Sequence, residues 1–574
     1  MHKVLTAAQM REVDRLTTER YGIPSIILME NAAHAVARVI TEKLGGSVDG
    51  KQIYILCGKG NNGGDGAALA RILVGSNANV EVFLFGEVEK TRGDARTNFE
   101  FLQNMTYRTS SGEDQDEIVK HYVLRFQEID SIRVWVNENS KEHDLDCVVD
   151  ALFGTGVSGK LHSDYGLIFD GVWFNSEVQE SAHSILRIAV DIPSGLQSDT
   201  PRLTGLNSTV DVTVTFTAPK IANVLPEASN HNGELIVADI GSPQELIDEQ
   251  PSHMYLAEKE DLARWLKNSE FSSDSYKNKR GHALLIGGSE NYSGAAVLAG
   301  NAAMRSGVGL VTIGVPRSSK DAVACRLVPE VMVRPLAETD SGAVSEEAIE
   351  EIQKFSKNVD AIAIGSGLSA NDESTAKFVR HFVENRRMPM ILDADALTML
   401  SPFETRVNGA RVSSPHVSKG SSNDEASNDN EAEEPPLILT PHEGEFLKML
   451  GTKDKEAIKD RVAAVREFSQ KHNVILVLKG ERALIGDPSG KVVVNPTGNS
   501  GLGKAGNGDT LTGILTGFVA QAAQLNIDIF ETVVAAVYIA GMAGDIAEKK
   551  YGKRVMTASD VRECLTEAFE HLGS

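Results

Sequence analysis

The strongest constraint on this chain is a rhythm. Short apolar runs end in a glycine, aspartate or histidine turn, and a helical pattern follows each of them. The runs cover 52–57, 80–85, 145–150, 188–191, 210–216 and 235–240, then 283–286, 309–314, 361–364, 390–393, 437–440 and 474–479. Strands alternating with helices imply a parallel sheet covered on both faces, with the connecting turns gathered at its carboxyl edge. The expected fold class is α/β. The rhythm breaks over 243–276, a polar connection with one helical stretch at 259–267, and then restarts. We therefore read two three-layer α/β domains, 1–245 and 255–574, with the boundary near residue 250.

At 574 residues the chain exceeds one ordinary core, in keeping with two large domains. Its 41% hydrophobic and 24% charged residues suit a soluble globular protein, while a net charge of −23 argues against a nucleic-acid-binding surface. Cys57, Cys147, Cys325 and Cys564 are scattered, so neither a zinc site nor a disulfide framework is indicated. The first ten residues lack a secretory pattern, and the apolar run 533–544 is too short to cross a bilayer. A cytoplasmic protein with no membrane association is expected. Residues 418–434 hold Ser, Asn, Asp and Glu but no Leu, Ile, Phe or Trp. They lie in a stretch, about 406–434, read as a disordered surface insertion.

Thr6 and Gln9 are spaced as a capping box opening the first helix. After the run 52–57 comes a phosphate-style loop, Gly58-Lys59-Gly60-Asn61-Asn62-Gly63-Gly64-Asp65-Gly66, with a helix expected over 67–74. Gly58, Gly60 and Gly63 satisfy G-x-G-x-x-G and Glu87 follows the next strand, so a dinucleotide-binding unit is a legitimate rival. Asn61, Asn62 and Asp65 weigh against it, because they fill the loop with side chains where bare backbone would suit a pyrophosphate. Asp150 and Asp191 close two strands; each alone is as well explained as a turn or cap residue. With Asn62 and Ser194 they could meet in one crevice as the oxygen ligands that hard cations prefer.

In the second half, Ala505-Gly506-Asn507-Gly508-Asp509-Thr510-Leu511-Thr512-Gly513 reads as a tight glycine turn opening a helix. Such a start presents free N–H groups and a positive dipole end to a phosphate. Asp509 would handle a proton there, although a plain helix cap with glycine-rich flanks is the better explanation of a lone G-x-G-D. Asp395 is most simply the N-cap of a helix over 396–400, and His442 an exposed loop residue.

These motifs, in order, resemble a known family. L-T-A-A-Q-M-R-E-V-D, L-M-E-N-A-A, G-x-G-N-N-G-G-D-G, D-A-L-F-G-T-G, V-D-I-P-S-G and T-F-T-A-P-K are similar to the epimerase domain of the bifunctional NAD(P)H-hydrate repair enzymes. G-G-S, G-S-G-L, L-D-A-D-A-L, L-T-P-H-E-G-E, L-K-G-E-R-A and A-G-N-G-D-T-L-T-G resemble the dehydratase domain of the same family, similar in fold to ribokinase-type kinases. The resemblance implies a Rossmann-like N-terminal domain and a ribokinase-like C-terminal one. It implies that Asn61, Asn62, Gly63, Gly64, Asp65, Gly154, Thr155, Gly156, Val157, Ser158, Gly159 and Lys160 contact the hydrated nucleotide. Asn62, Asp150 and Ser194 would hold K+, and Asp191 would contact the damaged ring as the proton-transferring group. In the second domain Ala295, Gly367, His442 and Asp509 would contact the hydrate. Lys479, Gly480, Glu481, Arg482, Ala483 and Gly508 would bind ADP, with Mg2+ on the nucleotide.

The implied activity is repair of hydrated NADH and NADPH. The epimerase interconverts the R and S hydrates, and the dehydratase converts the S hydrate to NAD(P)H while ADP gives AMP and phosphate. Expected partners are NADHX, NADPHX and ADP, in a homo-oligomer. The motifs do not separate ADP from ATP as donor; the fused architecture goes with ADP in this family. Three other readings stand beside it: a ribokinase-like small-molecule or vitamin kinase with an appended Rossmann-like domain, a dehydrogenase, and a nucleotide-sensing scaffold without turnover.

Overall fold

The computed structural model describes residues 1–109, 124–139, 145–156, 159–169, 185–404 and 434–572. Val157, Ser158 and, Glu434 aside, the expected insertion at 406–434 lie outside the described residues. The chain divides into two compact units, His2–Leu256 and Ala257–Ser574, the second including Met1.

The first unit contains β1 (His2–Lys3), β2 (Gln52–Cys57), β3 (Asn79–Leu84), β4 (Leu124–Glu128), β5 (Cys147–Ala151), β6 (Leu186–Val190), β7 (Val212–Phe216), β8 (Glu234–Ala238) and β9 (Met254–Leu256). Seven of these form a parallel sheet in the order β4-β3-β2-β5-β6-β7-β8, and β1 pairs antiparallel with β9. Side chains alternate across a strand, so β2 sends Ile53, Ile55 and Cys57 to one face and Tyr54 and Leu56 to the other. The first set joins a core with Val36, Ile40, Leu69, Val82 and Val149, covered by helices Ser25–Lys43 and Asn61–Gly75. The second packs with Phe83, Phe85, Trp135 and Phe169. The unbroken apolar run therefore reports burial on both faces. The capping box at Thr6 and Gln9 forms as read, on helix Ala7–Tyr21.

The second unit contains β10 (His282–Ile286), β11 (Leu310–Pro316), β12 (Met332–Leu336), β13 (Ala361–Ile364), β14 (Met390–Leu392), β15 (Leu437–Leu439), β16 (Ile475–Leu478), β17 (Leu484–Gly486) and β18 (Val492–Val494). Their order is β18-β17-β16-β15-β14-β13-β10-β11-β12. All neighbours are parallel except β16 with β17 and β17 with β18, which are antiparallel. Helices Ser293–Arg305, Asn507–Leu525 and Ile529–Tyr551 pack in succession beside this sheet. The run 533–544 belongs to this last helix, whose 23 residues are apolar enough by length and composition to cross a bilayer. Here Phe530, Val533, Val537, Ile539 and Ala543 are buried in the unit instead.

Candidate functional sites at two switch points

In the first unit the chain order reverses between β2 and β5, and in the second between β10 and β13. Ligands of open α/β sheets settle in the crevice that such a reversal opens at the strands' carboxyl ends. The expected site residues stand at the carboxyl ends of β2, β5 and β6 in the first unit, and after β10, β13, β15 and β16 and at the start of helix Asn507–Leu525 in the second.

At the first, the backbones are nearly in contact. Gly58 N–H donates to the Ala151 carbonyl at 3.0 Å. A Cβ on Gly58 would fall 1.9 Å from the Leu152 carbonyl oxygen, and one on Gly63 1.8 Å from that of Gly58. No side chain fits at either place. The helix therefore begins at Asn61, with Gly60 as its N-cap, and not at 67. Asn61, Asn62, Gly63, Gly64 and Asp65 sit on its first turns. Read alone, their glycines look like loop residues; close packing of helix on strand is what demands them.

Asn62 faces Gly154, where a Cβ would lie 3.0 Å from its Oδ1, and its buried Nδ2 has no hydrogen-bond partner among the described residues. Asp150 is fully buried and takes hydrogen bonds from Ser194 Oγ at 2.5 Å, Ser194 N–H at 2.9 Å and Ser208 Oγ at 2.5 Å. Burial pushes its carboxyl up and these donors oppose the shift. Ser194 Oγ also accepts the Phe153 N–H at 2.9 Å, tying β5's exit to that of β6. Amide, carboxylate and hydroxyl make an all-oxygen set of the kind that fits an alkali cation. Gly159 has φ +91°, and its carbonyl accepts Gln197 Nε2 at 3.4 Å. Thr155 and Gly156 form the turn before the undescribed Val157 and Ser158, and the Lys160 stem reaches toward Gly205.

Asp191 follows β6 with φ +67°, a conformation costly for a side-chain-bearing residue. Its Oδ1 accepts Lys220 Nζ at 2.6 Å and Thr215 Oγ1 at 3.0 Å. Lys220, 1% exposed, also donates to Thr215 Oγ1 at 2.9 Å and the Phe216 carbonyl at 3.2 Å. All three ammonium protons are therefore directed, and Asp191 is held in one orientation. Burial raises the carboxyl of Asp65 well above the usual range, with the Asp191 and Asp14 charges adding to it. Burial likewise lifts Asp14 to about 6, Lys220 opposing. One ammonium thus serves three neighbouring carboxyl groups and bonds directly to Asp191.

At the second switch point, Gly288 N–H donates to the Ser366 carbonyl at 2.7 Å. Gly367, at φ +69°, packs against Tyr292 and Ala295, where a Cβ would lie 3.1 Å from the Ala295 methyl. Two expected hydrate contacts, Ala295 and Gly367, are therefore adjacent. Asp393, 2% exposed after β14, accepts Lys479 Nζ at 2.7 Å, Thr440 Oγ1 at 2.9 Å and Thr512 Oγ1 at 3.0 Å. Burial opposes ionisation, but the Lys479 ammonium and these hydroxyls hold the Asp393 carboxyl below its ordinary range. Gly508 stands over this pair: a Cβ there would lie 3.6 Å from Lys479 Nζ and 3.7 Å from Asp393 Oδ2.

Helix Asn507–Leu525 starts from Gly506 at φ +92°, as the glycine turn required, and Asp509 lies in its first turn. Burial pushes the Asp509 carboxyl up, the Asp393 and Asp395 charges add to this, and Lys479 opposes it. His442 is exposed and caps helix Glu443–Met449, its Nδ1 accepting Gly444 N–H at 3.0 Å while Glu445 returns a bond to His442 N–H. Pro441 beside it accepts Lys479 N–H at 2.9 Å. Gly480 lies against Arg461, Arg482 donates to the Pro496 carbonyl, the Ala483 carbonyl accepts Asn495 N–H, and Glu481 is exposed. Asp395 is not an N-cap. It is the first residue of helix Asp395–Met399, and its Oδ2 accepts Ser369 N–H at 3.0 Å, clamping the Gly367 loop.

Lys220, Thr215, Asp14, Ser208, Asp393, Thr440, Thr512 and Arg461 were given no role on sequence grounds. Lys220 and Asp393 stand just after strand ends, a signal open to sequence reading; the hydroxyl partners carry no such mark.

Each of the two α/β units holds a lysine-carboxylate pair at the carboxyl ends of its strands, Asp191–Lys220 after β6 and β7 and Asp393–Lys479 after β14 and β16, and each pair lies in a candidate small-molecule site. A family model described as YjeF-related protein N-terminus matches residues 25–222, and one described as NAD(P)H-hydrate dehydratase matches 283–419 and 421–567. The bifunctional NAD(P)H-hydrate repair enzyme Nnr of Moorella thermoacetica is 35% identical over 571 residues, 99% of this chain and 97% of that protein. Its namesake in Thermofilum pendens is 31% identical with the same coverage. Among solved structures, the Bacillus subtilis ADP/ATP-dependent NAD(P)H-hydrate dehydratase co-crystallised with ATP/Mg2+ is 29% identical, with a TM-score of 0.43 over 55% of this chain and 98% of that one. The chain belongs to the family of bifunctional NAD(P)H-hydrate repair enzymes.

Proposed function

We propose that the His2–Leu256 unit interconverts the two epimers of hydrated NADH and NADPH, and that the Ala257–Ser574 unit dehydrates one of them at the expense of ADP. The observation that carries the reading is the position of Asp509. It is a largely buried carboxyl of raised proton affinity, on a helix start whose glycine lies over the Asp393–Lys479 pair. Hydroxide leaves poorly. Asp509 takes the proton of the hydrate's hydroxyl as that oxygen bonds to the terminal phosphorus of ADP and AMP departs. Phosphate then leaves from the ring carbon, a proton is lost from its neighbour, and the ring double bond of NAD(P)H re-forms. The N–H groups around Gly508 and the Lys479 ammonium neutralise the phosphoryl oxygens. Asp393 and Glu445, the carboxylates flanking Lys479 Nζ at 2.7 and 3.9 Å, would supply hard oxygens of the kind Mg2+ takes. When bound, the ion would neutralise charge on the nucleotide.

In the first unit Asp191, held by Lys220 and Thr215, is the group that gives and takes the proton which epimerisation of the hydroxyl-bearing carbon requires. K+ would be held by Asn62, Asp150 and Ser194 and would fix the loops that line this crevice. The test is incubation of hydrated NADH with ADP, ATP or neither, following absorbance at 340 nm and free phosphate. Return of NADH with stoichiometric phosphate is expected; a phosphorylated product that accumulates instead would mean a kinase. Asp509→Ala should abolish dehydration and leave ADP binding within about threefold. Asp191→Asn should stop epimer interconversion alone.

A further inference from the structure

The second unit holds a cation that has no hydrogen-bond or ion-pair partner among the described residues. Arg461 opens helix Arg461–His472, which leads into β16 and so starts at the carboxyl edge of the sheet, where the site lies. Its Nε is buried with no hydrogen-bond partner, and among the described residues the guanidinium forms no hydrogen bond or ion pair. Burial lowers its proton affinity, with Glu443 and Glu481 as the nearest opposing charges. The Nη2 end of the guanidinium abuts the turn after β16, where a Cβ on Gly480 would meet it at 2.6 Å. One residue earlier is Lys479, whose Nζ marks the phosphoryl position beside Gly508.

A desolvated guanidinium without an acceptor is costly, and its planar fork of donors matches the paired oxygens of a phosphate. We infer that Arg461 is a phosphate contact of the nucleotide, reaching over Gly480 to the anionic oxygens that Lys479 holds from the other side. The assignment rests on the nucleotide-driven dehydration proposed above. It also gives Gly480 a reason to lack a side chain: any Cβ would displace the guanidinium from the turn.

The experiment is calorimetric titration of the full-length protein and its Arg461→Met and Arg461→Lys variants with ADP and with adenosine, paired with the kinetics of dehydration. Arg461→Met should weaken ADP binding tenfold or more while adenosine binding moves less than twofold. Arg461→Lys should recover part of the loss, and the defect should appear in KM for ADP more than in kcat. ADP binding unmoved by Arg461→Met, or equal losses for ADP and adenosine, would overturn the assignment alone. Failure of the unaltered protein to bind ADP would overturn the proposed reaction as well, so the two failures are distinct.

Discussion

Asp14, Asp65 and Asp191 share the field of one buried ammonium, and only Asp191 bonds to it directly. The consequence for Asp14 has a definite sign. Its carboxyl moves from an ordinary 3.8 to about 6 on folding, so the folded state binds this proton more tightly than the unfolded state does. Well below pH 3.8 the group is neutral in both states and costs nothing. Between about 4 and 6 the unfolded chain gives up this proton while the folded one keeps it, and stability is lost, by up to about 3 kcal/mol for a shift of this size. Asp14→Asn removes the penalty. Urea unfolding should show the variant more stable than the parent at pH 8 and indistinguishable from it at about pH 3. A constant difference across that range would assign the effect to packing.

Helix Asn507–Leu525 shows what an element must do besides present Asp509. It crosses helix Ser293–Arg305 so closely that a Cβ on Gly513 would lie 2.1 Å from the Ala299 carbonyl oxygen. Alanine is the better helix former by up to about 1 kcal/mol, but forcing two backbones apart costs about 1–3 kcal/mol and also moves the first turn. Packing wins, and Gly513→Ala should lower Tm and slow dehydration together. Gly75 is the control. It ends helix Asn61–Gly75 with nothing within 4 Å of a Cβ, so Gly75→Ala should leave Tm unchanged or raise it. Calorimetric scans of both variants check the pair.

At the scale of the whole molecule, each unit carries its own sheet, its own switch point and its own lysine-carboxylate pair. The residues named at each site come from a single unit. Separately expressed fragments 1–256 and 257–574 should therefore each keep their activity, epimer interconversion in the first and nucleotide-dependent dehydration in the second. Mixed, they should repair both epimers. A fragment that folds by circular dichroism yet is inactive would show that the sites depend on each other.

The division between sequence and tertiary structure follows the range of the forces involved. Twelve of the eighteen strands among the described residues, the α/β class, the Thr6–Gln9 capping box and the glycine start of the 507–525 helix rest on interactions a few residues apart, and the sequence alone determined them; β1, β4, β9, β12, β17 and β18 were not read from it. So did the candidate residues Asn62, Asp150, Asp191, Lys479 and Asp509, which stand at strand ends or helix starts. The tertiary structure decided what depends on contacts between distant segments. The helix after β2 begins six residues early because Gly58 and Gly63 let it press against the strand. Asp395 clamps a loop 26 residues away in sequence and caps nothing. Lys220 bonds to Asp191 across 29 positions and Lys479 to Asp393 across 86. A buried charge is set by the partner the fold brings to it, and for Arg461 the described residues bring no hydrogen bond or ion pair, which leaves the anion to be supplied by the ligand.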